Sequence, residues 1–440
     1  MNKFRCFDEL LQSQNPSAPA LEFETPQGKG TWSFSELLTQ IDSFSLPQAN
    51  RVGVFADGSK ECLAAIFALA KAKKTIVLLN PLDPFSVLED QITSAHVGEV
   101  LFGDEDYSSL YREGENDQSI IFFTSGTTSS SKGVVLSEES LCASAYNGGA
   151  CLPLQKNDKL LCLLPLSHVY GFVCSLLWGL SFGACVCLGR GMRHLVDDCM
   201  FYQPTVATLV PQMAGFLAMR NLLNPELRLI LIGAGECSDV IINGVKAKGI
   251  RVSFGYGMTE TSSGLALSLG EEPRAMTICP EVSVKLAQDN EILIHAPSLL
   301  MKGYYSDGIF SPVELIDGYF ATGDLGSIDE QGLLHIIGRK KDMLVLNDGT
   351  KIFCPEYEAR LLGRIGQLDA AIFLDNKGKV GLALGKTEKT DIIRRLIDAF
   401  NDTLPRGQRI HEVYYLKGPI PRTSTGKAKR YLLMQTVKGE

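Results

Sequence analysis

Apolar positions in this chain come in two textures. Up to about residue 280, short unbroken apolar runs alternate with longer stretches of helical period. Arg51-Val-Gly-Val-Phe55 reads as a strand, residues 61–72 as an apolar helix and Thr75-Ile-Val-Leu-Leu79 as a second strand. Strand, helix and strand make a βαβ unit, which predicts a parallel sheet with a crossover helix. The pattern returns at residues 159–164, 206–210, 227–232 and 252–254, with helical stretches between. Ser137 before Glu138 and Glu139 marks a helix start, a capping hydroxyl followed by carboxylates at the positive end of the dipole. From about residue 282 the texture becomes short β alternation, as in Ser283-Val-Lys-Leu286 and Glu291-Ile-Leu-Ile-His295. After Arg339 it is mixed again, with a helix over residues 390–401 and a glycine-rich basic end. The expected fold is α/β. A large N-terminal domain, residues 1–338, has parallel-rich sheets, helices and a small β subdomain over about 282–338. A short hinge at 339–342 and a small α+β domain at 343–440 follow.

Residues 169–188 carry no charge and are long enough to span a bilayer. Gly171, Gly179 and Gly183 interrupt them, and the end, residues 182–188, reads as a buried strand after a helix. No membrane span is therefore expected. The 440 residues, 45% apolar, call for two or three domains. A formal charge of −8 argues against a general nucleic-acid binder. The start turns acidic at once and lacks the apolar core of a secretory signal. Twelve cysteines lie scattered without paired CxxC spacing, several in apolar runs, so reduced thiols in a cytoplasmic protein are expected.

The strongest chemical signal is Ile120-Ile-Phe-Phe-Thr-Ser-Gly-Thr-Thr-Ser-Ser-Ser-Lys-Gly-Val-Val135. An apolar run feeds a loop of hydroxyl residues with two glycines and one lysine. Such a loop turns backbone N–H groups and hydroxyls toward one point, which suits a triphosphate. It is not a Walker A loop, because Lys132 precedes Gly133 instead of following a glycine into a helix. A flexible Ser/Thr-rich surface loop would have the same composition. Four further segments decide between the two.

They are Phe254-Gly-Tyr-Gly-Met-Thr-Glu-Thr261, Tyr319-Phe-Ala-Thr-Gly-Asp-Leu325, Gly338-Arg-Lys-Lys-Asp342 and Pro421-Arg-Thr-Ser-Thr-Gly-Lys427. With the loop, and in this order, they resemble the adenylate-forming superfamily of acyl- and aryl-CoA synthetases, luciferases and peptide-synthetase adenylation domains. Within it, the chain is similar to the compact acyl/aryl-acid ligases. The resemblance runs from about residue 30 to the C-terminus. It implies an enzyme that joins a carboxylic acid to AMP, expels pyrophosphate and passes the acyl group to a phosphopantetheine thiol. ATP, Mg²⁺ and coenzyme A are the implied cofactors, with an acyl carrier protein as the alternative thiol partner. The state implied is monomer or homodimer.

The resemblance also implies roles. Thr124, Ser125, Gly126, Thr127, Thr128 and Lys132 would hold the β- and γ-phosphates. Ser129 and Ser131 stand where the family usually has Gly and often Pro, which stiffens or alters the loop. Gly235 and Glu236 belong to the same nucleotide-binding set. So do Tyr256, Gly257, Met258 and Thr259, with the Tyr256 ring against adenine and Glu260 toward Mg²⁺. Asp324 would accept hydrogen bonds from both ribose hydroxyls, with Arg339 reaching the same sugar. Lys427 would stabilise charge in the adenylation transition state, Lys341 would be the hinge of a mobile C-terminal domain, and His168 would lie by the acyl carboxylate.

Amino-acid-activating members of the family carry an aspartate near this histidine. Here Val169-Tyr-Gly-Phe172 stands there, and no acid follows until Asp197. A buried ammonium without a partner is very costly, so an apolar acyl or aryl acid is expected. Tyr170, Phe172, residues 206–210 and Gly233 would line its pocket, the small residues Gly233 and Gly235 leaving depth. Residues 273–280 lack the family's usual Gly-Ser-Val-Gly pattern. Fatty and aromatic acids stay open, as do CoA and carrier protein.

Overall fold

The computed structural model describes residues 3–124, 132–235, 237–366, 368–375, 377–388, 390–422, 428–430 and 432–433. They divide into two compact units: residues 1–285, 293–321 and 328–335, and residues 286–292, 322–327 and 336–440.

Two large sheets build the first unit. The expected βαβ unit is present: Arg51–Phe55 and Thr75–Leu79 pair in parallel, joined by the helix Lys60–Lys71. Ser59 caps that helix by accepting from the Cys62 N–H at 3.1 Å. These strands sit in a seven-stranded sheet with Glu99–Leu101, Ile120–Thr124, Lys132–Leu136, Gly303–Ser306 and Ile309–Pro312. A nine-stranded sheet contains a parallel core of Lys159–Cys162, Cys185–Leu188, Val206–Leu209, Leu229–Ile232 and Arg251–Met258. Its strand residues 206–209 and 229–232 are wholly buried and apolar but for Thr208, as a sheet covered on both faces requires. Ser137 caps the helix Glu138–Cys151 as expected, accepting from the Ser140 N–H at 3.0 Å.

The uncharged stretch 169–188 resolves into helical turns and a strand. A π-helical segment, Phe172–Leu177, lies between α-helical Val169–Gly171 and Trp178–Ser181, and the buried strand Cys185–Leu188 follows. Among the described residues no helix is long and apolar enough to cross a membrane.

The strands of residues 282–338, where a small β subdomain is expected, divide between two sheets. Gly303–Ser306 and Ile309–Pro312 join the seven-stranded sheet, where Gly303, Tyr304 and Tyr305 pair with Val135, Val134 and Gly133. The alternation at 283–286 and 291–295 does not extend to these two strands or name their sheet. The edge of Lys132–Leu136 offers unpaired backbone groups, and the later hairpin satisfies them. The remaining strands, Ser283–Leu286, Glu291–His295, Phe320–Ile328 and Leu334–Arg339, form a four-stranded sheet whose residues fall in both units.

In the second unit the strands Asp369–Leu374, Val380–Gly385 and Glu412–Leu416 make a three-stranded sheet. The helices Cys354–Ile365 and Asp391–Asn401 contribute Leu361, Ile365, Ile397 and Phe400 to its core. The second helix matches expectation, with Thr390 as its cap. A short hairpin of Met343–Val345 and Lys351–Phe353 precedes them.

Candidate functional site

Thr124 ends one strand and Lys132 begins its antiparallel partner, the two facing each other in register. The hydroxyl-rich segment between them, with Ser125, Gly126, Thr127 and Thr128, lies outside the described residues. The Lys132 ammonium stands 5.6 Å from the centre of the Tyr304 ring, a cation–π contact. The Tyr304 hydroxyl donates to Glu260 Oε1 at 3.0 Å. Burial, then the Glu260 charge, pushes the Tyr304 phenol up, so it stays a donor at neutral pH. One ring thus joins the expected phosphate lysine to the expected metal carboxylate. Tyr304 was missed in the sequence, where it reads as one of two tyrosines in a short strand.

Glu260 reaches that ring through an unusual backbone. The strand Arg251–Met258 is longer than its apolar run suggests and carries Tyr256, Gly257 and Met258 at its end. There it pairs antiparallel with Ser263–Leu267, with a register shift between Tyr256 and Gly257. A Cβ on Gly257 would lie 1.4 Å from the Ser263 carbonyl oxygen, so only glycine fits. Thr259 and Glu260 follow in a single 3₁₀ turn. The return holds Ser262 at φ 52° and Ser263 at φ 97°, a left-handed pair that non-glycine residues rarely adopt. Side chains pin it: Thr261 Oγ1 donates to the Met258 carbonyl at 3.1 Å, and Ser262 Oγ to the Leu299 carbonyl at 2.8 Å. The Met301 N–H donates to the Glu260 carbonyl at 2.9 Å.

On the same unit, His168 stands at the start of the 169–171 turn, open to solvent on one side and surrounded by protein on the other. Crowding by protein lowers its pKa below the ordinary 6.5, with the Asp83 charge pulling weakly the other way. The shift favours the uncharged imidazole at neutral pH. Tyr170 lies across the ends of two parallel strands, its hydroxyl 3.1 Å from the Leu231 carbonyl and 3.4 Å from that of Leu209. A Cβ on Gly233 would lie 2.5 Å from that ring. Gly233 therefore makes room for Tyr170 and does not open the depth expected of it. Phe172 is likewise a core residue, fully buried with its ring centre 5.6 Å from Phe122 and 5.8 Å from Phe7. Ala234 sits at φ 61° beside Gly235, and Glu236 lies outside the described residues.

The π-helical turn is a second feature missed in the sequence. Cys174 within it approaches Ser263 Oγ at 3.3 Å, and its carbonyl accepts from Thr208 Oγ1 at 2.9 Å. Such turns recur at functional sites. Ser167 and Ser175, both buried, keep hydroxyls without a partner among the described residues.

The second unit holds its own cluster. Arg339 Nε lies 2.7 Å from Asp324 Oδ1, the carboxylate being almost wholly buried. The Thr322 hydroxyl donates to the Ile292 carbonyl at 2.8 Å and accepts from the Asp324 N–H at 3.1 Å. Gly323 takes φ 70°, and its N–H donates to Glu291 Oε1 at 3.0 Å. Lys341 lies in the 3₁₀ turn Lys340–Asp342. Lys427 falls outside the described residues; Arg422 and Ala428 form an antiparallel bridge. Arg422 is 2.7 Å from Asp369. Arg430 is 3.2 Å from Asp342 and 2.7 Å from Glu358. These arginines of the basic end hold it to the rest of the second unit.

The His168 environment makes a direct prediction. Its ring titration, followed by NMR, should have a midpoint below 6.5. Asp83→Asn should lower it further, because the lost carboxylate favoured the imidazolium. A midpoint at or above 6.5 would show that the ring is not desolvated.

Residues 104–305 match the AMP-binding enzyme family. The chain is 27% identical over 334 residues to the 2-succinylbenzoate–CoA ligase of Listeria monocytogenes, covering 72% of this chain and 69% of the relative. It is 29% identical over 356 residues to 4-coumarate-CoA ligase 2 of Narcissus pseudonarcissus, covering 72% and 62%. Its fold matches the o-succinylbenzoate coenzyme A synthetase of Bacillus subtilis in complex with AMP, with a TM-score of 0.77, 22% identity and 97% of each chain covered. ATP-bound MatB of Rhodopseudomonas palustris also gives 0.77 at 22% identity, over 100% of this chain and 99% of that one. Over residues 104–305 the chain thus matches the AMP-binding enzyme family, and its fold is the one that these coenzyme A ligases share.

Proposed function

We propose that this enzyme activates an apolar acyl or aryl carboxylic acid with ATP, forming the acyl-adenylate and pyrophosphate, and transfers the acyl group to the thiol of coenzyme A. The observation that carries this reading is the Lys132–Tyr304–Glu260 contact at the mouth of the hydroxyl-rich segment. The acid class is supported by the relatives' names: 2-succinylbenzoate, 4-coumarate and long-chain fatty acid ligases. Loading of an acyl carrier protein is the second reading, since the compact ligases use either thiol.

Each group has a role that its surroundings suit. Lys132 neutralises charge on the outer phosphates, and its Tyr304 contact limits where its ammonium can lie. Glu260 is a part-exposed oxygen donor oriented by Tyr304, which fits Mg²⁺, an ion that uses one or two carboxylates beside phosphates and water. Bound there, Mg²⁺ would supply charge neutralisation for the leaving pyrophosphate. Asp324, oriented by Arg339, accepts the ribose hydroxyls. Lys427 stabilises the charge that builds on carboxylate and α-phosphate, and neutral His168 stands by as a hydrogen-bond partner to the acyl carboxylate. Tyr170 closes the space above Gly233 and so limits how deep an acid can reach there.

Tyr304→Phe tests the carrying contact. It should lower kcat/KM for Mg·ATP about tenfold or more, the scale of a lost hydrogen bond to a charged group, with the KM for the acid and the unfolding midpoint unchanged. An unaltered kcat/KM would remove Tyr304 from the site. Lys427→Ala should cost at least ~10²-fold in adenylate formation while thioester formation from preformed adenylate survives; equal loss in both would refute the assigned role. ATP–pyrophosphate exchange should respond to medium-chain fatty, benzoic or cinnamic acids and stay at background with common amino acids. Exchange with any α-amino acid above that of every simple acyl or aryl acid would overturn the substrate class.

A further inference from the structure

We infer that the second unit carries a binding site for a divalent first-row transition ion, Zn²⁺ first among them, built from Asp375, His411 and Glu412. One ligand atom from each lies within 4.8 Å of the others. Asp375 stands just after the strand Asp369–Leu374. His411 and Glu412 open the neighbourhood of the strand Glu412–Leu416, which pairs in parallel with Val380–Gly385, Glu412 opposite Gly381. The site therefore sits where the turn between two strands meets the start of a third.

The Asp375 carboxylate points to a ligand. The residue is only 7% exposed. Its Oδ1 accepts the N–H groups of Lys377 and Lys379 at 2.8 and 2.9 Å. Its Oδ2 is buried without a hydrogen-bond partner among the described residues. A buried carboxylate oxygen left bare is expensive. The nearest complementary group, His411 Nδ1, is 3.7 Å away, too far for a hydrogen bond. A metal ion among the three groups would satisfy Oδ2, the ring nitrogen and Glu412 together. Ligands about 2.0–2.2 Å from a tetrahedral ion lie roughly 3.3–3.6 Å apart, so small side-chain adjustments close the present spacing.

The support around the ligands is that of a metal site. Glu412 Oε2 accepts from the Tyr414 hydroxyl at 3.0 Å. The His411 N–H donates to the Val380 carbonyl at 2.8 Å, fixing the backbone from which the ring projects. Such outer contacts orient ligands and tune affinity. One imidazole with two carboxylates and no thiolate suits Zn²⁺ or a similar ion, with water completing the shell. Asp375 is shielded while His411 and Glu412 are exposed, which gives the ion an entry path. Bound, it would clasp the 375–379 turn to the start of the third strand.

The test uses the full chain without nucleotide, titrated with Zn²⁺ by calorimetry and with Co²⁺ by visible absorption. One ion per chain should bind. His411→Gln and Glu412→Gln, both at exposed positions, should each weaken binding at least ~10-fold, since even outer-shell losses cost 10–100-fold. His335→Gln, which removes a different histidine–carboxylate pair at 2.7 Å, should leave affinity unchanged. Zn²⁺ should also raise the thermal midpoint of the parent chain and not of His411→Gln. No binding, or binding indifferent to both substitutions, would overturn the proposal. So would a thiolate-to-Co²⁺ charge-transfer band, which would place the ion at Glu22, Cys185 and Cys187 instead.

Discussion

At Gly257 the backbone passes so close to the Ser263 carbonyl that no side chain can stand between them, and the arrangement of the first unit's polar residues follows from that approach. The close crossing shifts the register of the two strands and turns the chain into the single helical turn bearing Thr259 and Glu260. The return through two left-handed serines is a conformation that isolated peptides avoid. It persists because Leu299, Met258 and Ser144 supply hydrogen-bond partners for Ser262, Thr261 and Gly264. Glu260 then arrives beneath Tyr304 already aimed. Strain at the turn is the cost of a carboxylate that need not search for its place.

Much of the scaffold was readable from local pattern. The strands at residues 51–55 and 75–79, the Ser137 cap and the helix after Thr390 follow from periodicity and capping, both decided within a few residues. What escaped was decided at long range. Tyr304 matters because its strand adds to Lys132–Leu136, 168 positions or more earlier by subtraction of 136 from 304, and no local signal names that partner. The π-helical turn follows a run that reads equally well as ordinary α-helix or buried core. Phe172 was legible as apolar, but apolarity does not say whether a ring faces a pocket or the rings of Phe7 and Phe122. The ion pairs of Arg422 and Arg430 at the basic end were out of reach of local pattern too, since Asp369, Asp342 and Glu358 are distant in sequence.

In the second unit, Asp324 and Arg339 illustrate how a buried charge is made tolerable. The carboxylate is desolvated, which would be costly alone, and the guanidinium 2.7 Å away offsets that cost. Arg339 keeps about a third of its side chain exposed, so the pair is anchored at one end and open to water at the other. Gly323 takes φ 70° within the strand Phe320–Ile328, beside Thr322, Asp324 and Leu325, which are all buried. The pair thus presents orientation and charge together on a rigid strand, which suits sugar recognition better than a loop would.

The contact between Tyr170 and Gly233 makes the space between them a joint property of two positions far apart in the chain. Neither can drift alone in one direction: any side chain at 233 evicts the ring, whereas a smaller residue at 170 leaves 233 free to vary. Substitutions there are therefore non-additive, with the order in which they arise deciding which are tolerated. While Tyr170 is present, the glycine is held in place by its neighbour's bulk and not by any chemistry of its own.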